Sequence, residues 1–250
     1  MLRIAVWGSL LTAVALATPV AAQKTDSTRF RVDVRPTIVA IRGDTVRVSY
    51  VVRNRPESVD TLFGFTVDAP GILSVDRPGP RTSWMVSTRW RLRHVASWGT
   101  LGQHPLPGQV MPPLTYKAIG LPDIVQYWAD RYTDYVPPDT LGDLEPGPSD
   151  DSVAIDGVTG FTVGVGSLPA DHGPEALAKR LVGLVERACQ LRWIDERGVC
   201  NSLQVKVRPR RESLSALHQE LDAQRGKHVN ETAYVLLVAN IDALLKRLPE

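Results

Sequence analysis

Arginines Arg77, Arg81, Arg89, Arg91 and Arg93 fall among tryptophans Trp84, Trp90 and Trp98, and this stretch holds the most suggestive side-chain chemistry in the sequence. An indole face stacks on a sugar ring, and a guanidinium offers paired donors to a carboxylate. One reading is therefore a glycan-binding surface built from Arg89, Trp90, Arg91, Arg93 and Trp98. The simpler reading is structural. Alternation along Trp90-Arg91-Leu92-Arg93 places Trp90 and Leu92 on a buried strand face and leaves the arginines in solvent. A third reading sets these arginines against the acidic stretch from Asp134 to Asp156, in surface pairs worth at best about 1 kcal/mol each.

Other chemistry is hard to find. Gly164-Val165-Gly166-Ser167 lacks the frame of a nucleophile elbow, and neither a His-Glu-x-x-His pair nor a phosphate-binding Gly-Lys-Ser/Thr loop occurs. His94, His104, His172, His218 and His228 are scattered rather than set at metal-ligand spacing. Asp150-Asp151 with Asp156-Gly157 misses the alternating oxygens of a calcium loop, so a solvated linker is the better account. No catalytic residue, metal ligand or cofactor is assigned. Asn230-Glu231-Thr232 fits a glycosylation acceptor, but more simply a helix cap.

Positioning these residues requires a compartment and a scaffold. Residues 1–22 have the form of a secretory signal peptide. Arg3 precedes an apolar run that closes on Val20-Ala21-Ala22, with cleavage expected before Gln23. No later stretch reaches membrane-helix length, so no transmembrane segment is expected after cleavage, and a secreted or periplasmic location follows. Hydrophobic content of 43% supports a packed core. The formal net charge of +2, which loses Arg3 with the leader, argues against nucleic-acid binding, since that needs a dense basic field. Cys189 and Cys200 are the two cysteines. In an oxidising compartment they most simply form one local disulfide, worth roughly 2–3 kcal/mol, the alternative being two buried free thiols.

Residues 28–168 predict an antiparallel β-sandwich of immunoglobulin-like kind. Period-two patterns run over residues 29–35, 44–52 and 61–67, with further strands at 84–92, 114–119 and within 153–165. Residues 124–132 predict a short helix from the spacing of Ile124, Tyr127, Trp128 and Tyr132. Residues 137–151 are a Pro/Asp-rich excursion. From residue 173 to 248 the period turns helical. The stripes are Leu177, Leu181, Leu184, Val185 and Ala188, then Leu203 and Val207 up to Pro209, then Leu214, Leu217 and Leu221 before Gly226, and finally a helix capped by Asn230. The fold class is α+β, a sandwich followed by a small helical bundle pinned by its cysteines.

Within that bundle, Leu181-Val182-Gly183-Leu184-Val185, Cys189, Trp193-Ile194, Gly198, Asn201-Ser202-Leu203, Lys206, Gln224-Arg225-Gly226-Lys227 and Ile241-Asp242-Ala243-Leu244-Leu245 form a recurring pattern. Over residues 175–248 it resembles the FIMAH-type helical module at the C-termini of secreted and surface-anchored bacterial proteins. One departure is a shorter stretch between Lys206 and Ser213. The resemblance implies an accessory or interaction role and supplies no catalytic residues. The expected function is an exported, non-enzymatic binding, adhesion or structural module of the bacterial cell envelope, with an envelope protein or a polysaccharide as partner. The alternative is the accessory subunit or catalytic domain of an extracellular carbohydrate-active hydrolase, with a carboxylate pair assembled by folding. A peptide-binding role through the bundle's groove or a sheet edge is a third possibility.

Overall fold

The computed structural model describes residues 30–132 and 157–249, apart from Arg81, Arg91, Gln103 and Ala170. The leader at 1–22, the excursion at 137–151 and Arg91 lie outside the described residues, as does the acidic stretch from Asp134 to Asp156.

Nine strands come first: β1 Val32–Arg42, β2 Thr45–Asn54, β3 Leu62–Asp68, β4 Ile72–Val75, β5 Trp84–Trp90, β6 Arg93–Thr100, β7 Leu114–Ile119, β8 Leu121–Arg131 and β9 Gly157–Gly166. Four helices follow: α1 Pro174–Gln190, α2 Arg197–Lys206, α3 Arg211–Gln224 and α4 Glu231–Leu245. The strands form two antiparallel sheets, one ordered β1-β2-β7-β4 and the other β5-β6-β3-β8-β9. In β2 the alternation is plain, with Val46, Val48, Tyr50 and Val52 buried between more exposed neighbours. Gly120 joins β7 to β8 at φ 155°, and a Cβ there would stand 1.9 Å from the Gly166 carbonyl oxygen, so only glycine lets the β8–β9 pairing start so close to the turn.

Between the sheets, Tyr50, Phe65, Trp98 and Tyr116 form one aromatic cluster with ring centroids 5.3–6.4 Å apart. Each ring buries a large apolar area, and each polar tip is paired, as burial demands. The Tyr50 hydroxyl donates to Val163 O at 2.9 Å, Val165 N donates to the Tyr116 hydroxyl at 2.9 Å, and Trp98 Nε1 donates to Asp76 O at 3.0 Å. Burial pushes both phenols well above their usual pKa, so they stay neutral.

The helices follow from their caps and stripes. Pro174 and Glu175 occupy the first turn of α1, which buries Leu177, Ala178, Leu181, Leu184, Val185 and Ala188. The Glu196 carboxylate caps α2, accepting from Gly198 N at 3.0 Å and Val199 N at 2.6 Å, and those two bonds hold its pKa low. Gly226 follows α3 at φ 72°, and Asn230 Oδ1 caps α4 by accepting from Ala233 N at 2.9 Å. The Cys189–Cys200 disulfide ties the last turn of α1 to α2. The helical core does not close on itself. It takes in Leu121 and Ile124 of β8 and Val163 of β9, so the bundle is packed against the end of the five-stranded sheet.

Two sequence expectations are corrected. Residues 124–132 are not a helix, because β8 runs through 124–131 and Tyr132 follows it as irregular chain. That strand is apolar on both sides: Val125 and Ala129 face the sandwich core, and Ile124 faces the helices. Covering both faces erases the period of two, and the residual spacing imitates a helix. Leu92 is not buried. It is 99% exposed, because β5 ends at Trp90 and a hairpin turn pairs Trp90 with Arg93.

Candidate ligand-binding face

The five-stranded sheet turns one face to the sandwich core and the other outward. Strand register gives the outward rows. Ser87, Ser97, Thr66, Trp128 and Thr159 lie across from one another, and Asp68 of β3 stands two residues beyond Thr66. Thr66 and Ser97 share a hydrogen bond at 2.8 Å, which satisfies the two hydroxyls at the middle of the face.

At the helical end of this face lies a cleft of about 510 Å³, lined among others by Asp68, Arg93, Asp123, Gln126, Phe161 and Arg187. Two of its walls are guanidinium groups stacked on aromatic rings. Arg93 of β6 lies 5.7 Å over the Trp128 ring, and Trp90 meets Trp128 edge-on at 5.7 Å. Arg187, in the last turn of α1, lies 5.2 Å over Phe161 of β9. Each stack is worth roughly 0.5–1 kcal/mol at an exposed site and fixes the plane of the guanidinium. Its position also sets Arg187 favourably against the C-terminal end of the helix dipole.

The carboxylates of the cleft differ. Asp68 is 3.9 Å from Arg93, a long contact that leaves most of the guanidinium's donors free. Burial raises the Asp68 pKa, and Arg93 opposes the rise. Asp123 is fully engaged: Oδ1 accepts from Ile124 N at 2.7 Å and Oδ2 from Arg180 Nη2 at 3.0 Å. Two cations held on aromatic platforms, with the Gln126 amide beside them, can take an anionic group by charge-assisted hydrogen bonds.

Of the residues singled out in the sequence, Trp90 and Arg93 belong to this arrangement. Arg89 is exposed on β5 opposite His94, outside the cleft lining. Trp98 is 1% exposed and sits in the sandwich core, so the ligand role considered for it gives way to core packing. Trp128, Phe161, Arg187 and Gln126 complete the arrangement without any signal in the local sequence. They lie far from the arginine-rich stretch in sequence, and only strand pairing and the docking of α1 bring them to it.

No family model matches the chain, the helical segment included, and no curated protein matches it. Among solved structures, the chain is similar to an uncharacterized protein from Nocardia farcinica described as having an immunoglobulin-like fold. The match has 14% identity and a TM-score of 0.30 over 52% of this chain and 94% of that one.

Proposed function

We propose that the chain is an exported, non-enzymatic binding module of the bacterial cell envelope, and that its cleft holds a carboxylated saccharide. The observation that carries this reading is the pair of stacked guanidinium groups, Arg93 on Trp128 and Arg187 on Phe161, lining one open cleft. Arginine is suited to a carboxylate because its planar donors match two oxygens at once. Hydrolysis is less well supported, because Asp123 is committed to Arg180 and to the Ile124 amide and is not available as partner to Asp68. Export belongs to the same reading and is supported by the Cys189–Cys200 disulfide. Among the described residues, no helix is long and apolar enough to cross a membrane. The immunoglobulin-like assignment of the sandwich and the FIMAH-like assignment of the helices also belong to this proposal.

The test is calorimetric titration with oligogalacturonate, its methyl ester and inorganic phosphate. Saturable binding of the free acid, weakened about tenfold or more by Arg93→Ala and by Arg187→Ala, is expected, with little affinity for the ester. Equal binding of acid and ester would overturn the carboxylate reading, and shortened oligomers recovered afterwards would favour the hydrolase.

A further inference from the structure

A second groove opens on the same sheet, at the end away from the arginine-lined cleft. Register sets Met85, Gly99, Gly64 and Asp130 in one row across β5, β6, β3 and β8. The outer two of these stand three strand spacings apart, about 14 Å. The glycines between them floor a groove of about 580 Å³, whose apolar walls include Phe63, Met85 and Leu101. Neither glycine is replaceable without loss of that space. A Cβ on Gly64 would stand 3.1 Å from Asp130 Oδ2, and one on Gly99 would stand 3.1 Å from the Met85 methyl.

Asp130 has no obvious structural task. Its Oδ1 is buried without a hydrogen-bond partner among the described residues. A carboxylate in that condition costs free energy unless a cation or donor reaches it. The neighbouring charges do not meet the need. Arg131, next along β8, is engaged by Asp60 at 3.0 Å, and Arg77 lines the groove from the β4–β5 connection as an exposed side chain with no ion pair to Asp130. Asp130 is thus a desolvated carboxylate in an apolar-walled groove wide enough for a ligand.

We propose that this groove binds a primary ammonium group carried on an apolar stem, as on a lysyl side chain, with Asp130 as its counter-ion. Charge complementarity selects a cation, and the apolar walls select an aliphatic stem. Oδ1 is buried and Oδ2 is the oxygen beside Gly64 at the groove floor, a one-oxygen arrangement that suits a compact point charge better than a forked guanidinium needing both oxygens. A single carboxylate falls short of the several oxygens that a divalent metal ion demands. Burial raises the Asp130 pKa to about 6, so the site is charged and competent at neutral pH and becomes neutral in mild acid.

The experiment is titration of the full chain with hexylamine at pH 7.5 and pH 5.0, with hexanol and hexylguanidine as controls. Saturable hexylamine binding is expected, about tenfold weaker at pH 5.0 and at least tenfold weaker in D130N. Hexanol should bind more weakly than either cation, and hexylguanidine more weakly than hexylamine. G99L, which fills the floor while keeping the carboxylate, should also lose binding. The double variant R93A/R187A should keep it, which separates this groove from the carboxylate-binding cleft. No saturable hexylamine binding by the wild type, equal binding by D130N, or loss of binding in R93A/R187A would overturn the proposal.

Discussion

Arg180 Nη2 donates to Asp123 Oδ2 at 3.0 Å, joining the first helix to β8 of the five-stranded sheet. The same guanidinium donates to Pro122 O at 2.8 Å and to Asn240 Oδ1 at 2.6 Å, while Asn240 Nδ2 donates to Pro122 O at 3.1 Å. Helices α1 and α4 are thereby fastened to one point on the sheet, beside the apolar contact made by Leu121, Ile124 and Val163. This joint also sets where Arg187, seven residues along α1, stands over Phe161 and the cleft.

Arg180→Met should therefore be costly. It keeps much of the side chain's volume but strands the Asp123 carboxylate and the Asn240 amide oxygen at a mostly covered joint. Loss of about 2–4 kcal/mol is expected in urea unfolding. A change below about 0.5 kcal/mol, the level of an ordinary surface substitution, would show that the network contributes nothing.

The disulfide closes a short loop, with a sequence separation of 11. On the chain-entropy account, Cys189→Ala/Cys200→Ala should lose about 3 kcal/mol. Thiol labelling of unreduced protein should find neither cysteine free, and labelling of both would remove the cross-link from the energetics and from the case for export.

The pH dependence of stability offers a separate view of Asp130. Its folded pKa, raised from 3.8 to about 6 by burial, means that the folded chain holds this proton more tightly than the unfolded chain. Stability from this group is therefore full below pH 4, falls as pH rises through the interval up to about 6, and stays lost above it, by at most about 3 kcal/mol. D130N removes that slope. Urea unfolding should find D130N more stable than wild type at pH 7.5 by about 1–3 kcal/mol, with the gap closing at pH 4. A gap that does not change with pH would contradict the raised pKa.

Much of this architecture is legible in the residues themselves. Period-two runs at Val46-Arg47-Val48-Ser49-Tyr50 and the leucine stripe of α1 each have one covered face, so their spacing reports their environment. The same rule explains where legibility ends. Ile124 and Trp128 lie on a strand covered on both sides, so no periodicity distinguishes it from a helix. In β5, alternation from Trp84 to Trp90 says nothing of where the hairpin turns, and carried past Trp90 it puts Leu92 on the wrong side. The candidate site was half visible. Arg93 and Trp90 are local in sequence, whereas Trp128, Phe161 and Arg187 join them only through strand order and helix docking. Asp130 carries no local signal, because its significance is the space left by two glycines on neighbouring strands.

Trp90 and Trp98, eight residues apart in sequence, should behave differently. Trp98 is wedged among Tyr50, Phe65 and Tyr116 with its indole N–H donated to Asp76 O. Trp98→Ala should cost about 3–5 kcal/mol, the cavity it leaves being walled by rigid rings. Trp98→Phe keeps most of the volume and loses the hydrogen bond, so a loss of about 1–3 kcal/mol is expected, with saccharide affinity unchanged in the folded fraction. Trp90 is only partly buried and meets Trp128 edge-on at the hairpin end, and Trp90→Ala should cost less than Trp98→Phe. Its effect should fall on binding instead, because Trp128 loses the edge contact that steadies it beneath Arg93. Titration of the three variants alongside urea unfolding separates the roles. A Trp98→Phe chain that folds fully but no longer binds, or a Trp90→Ala chain that binds as wild type, would reverse the assignment.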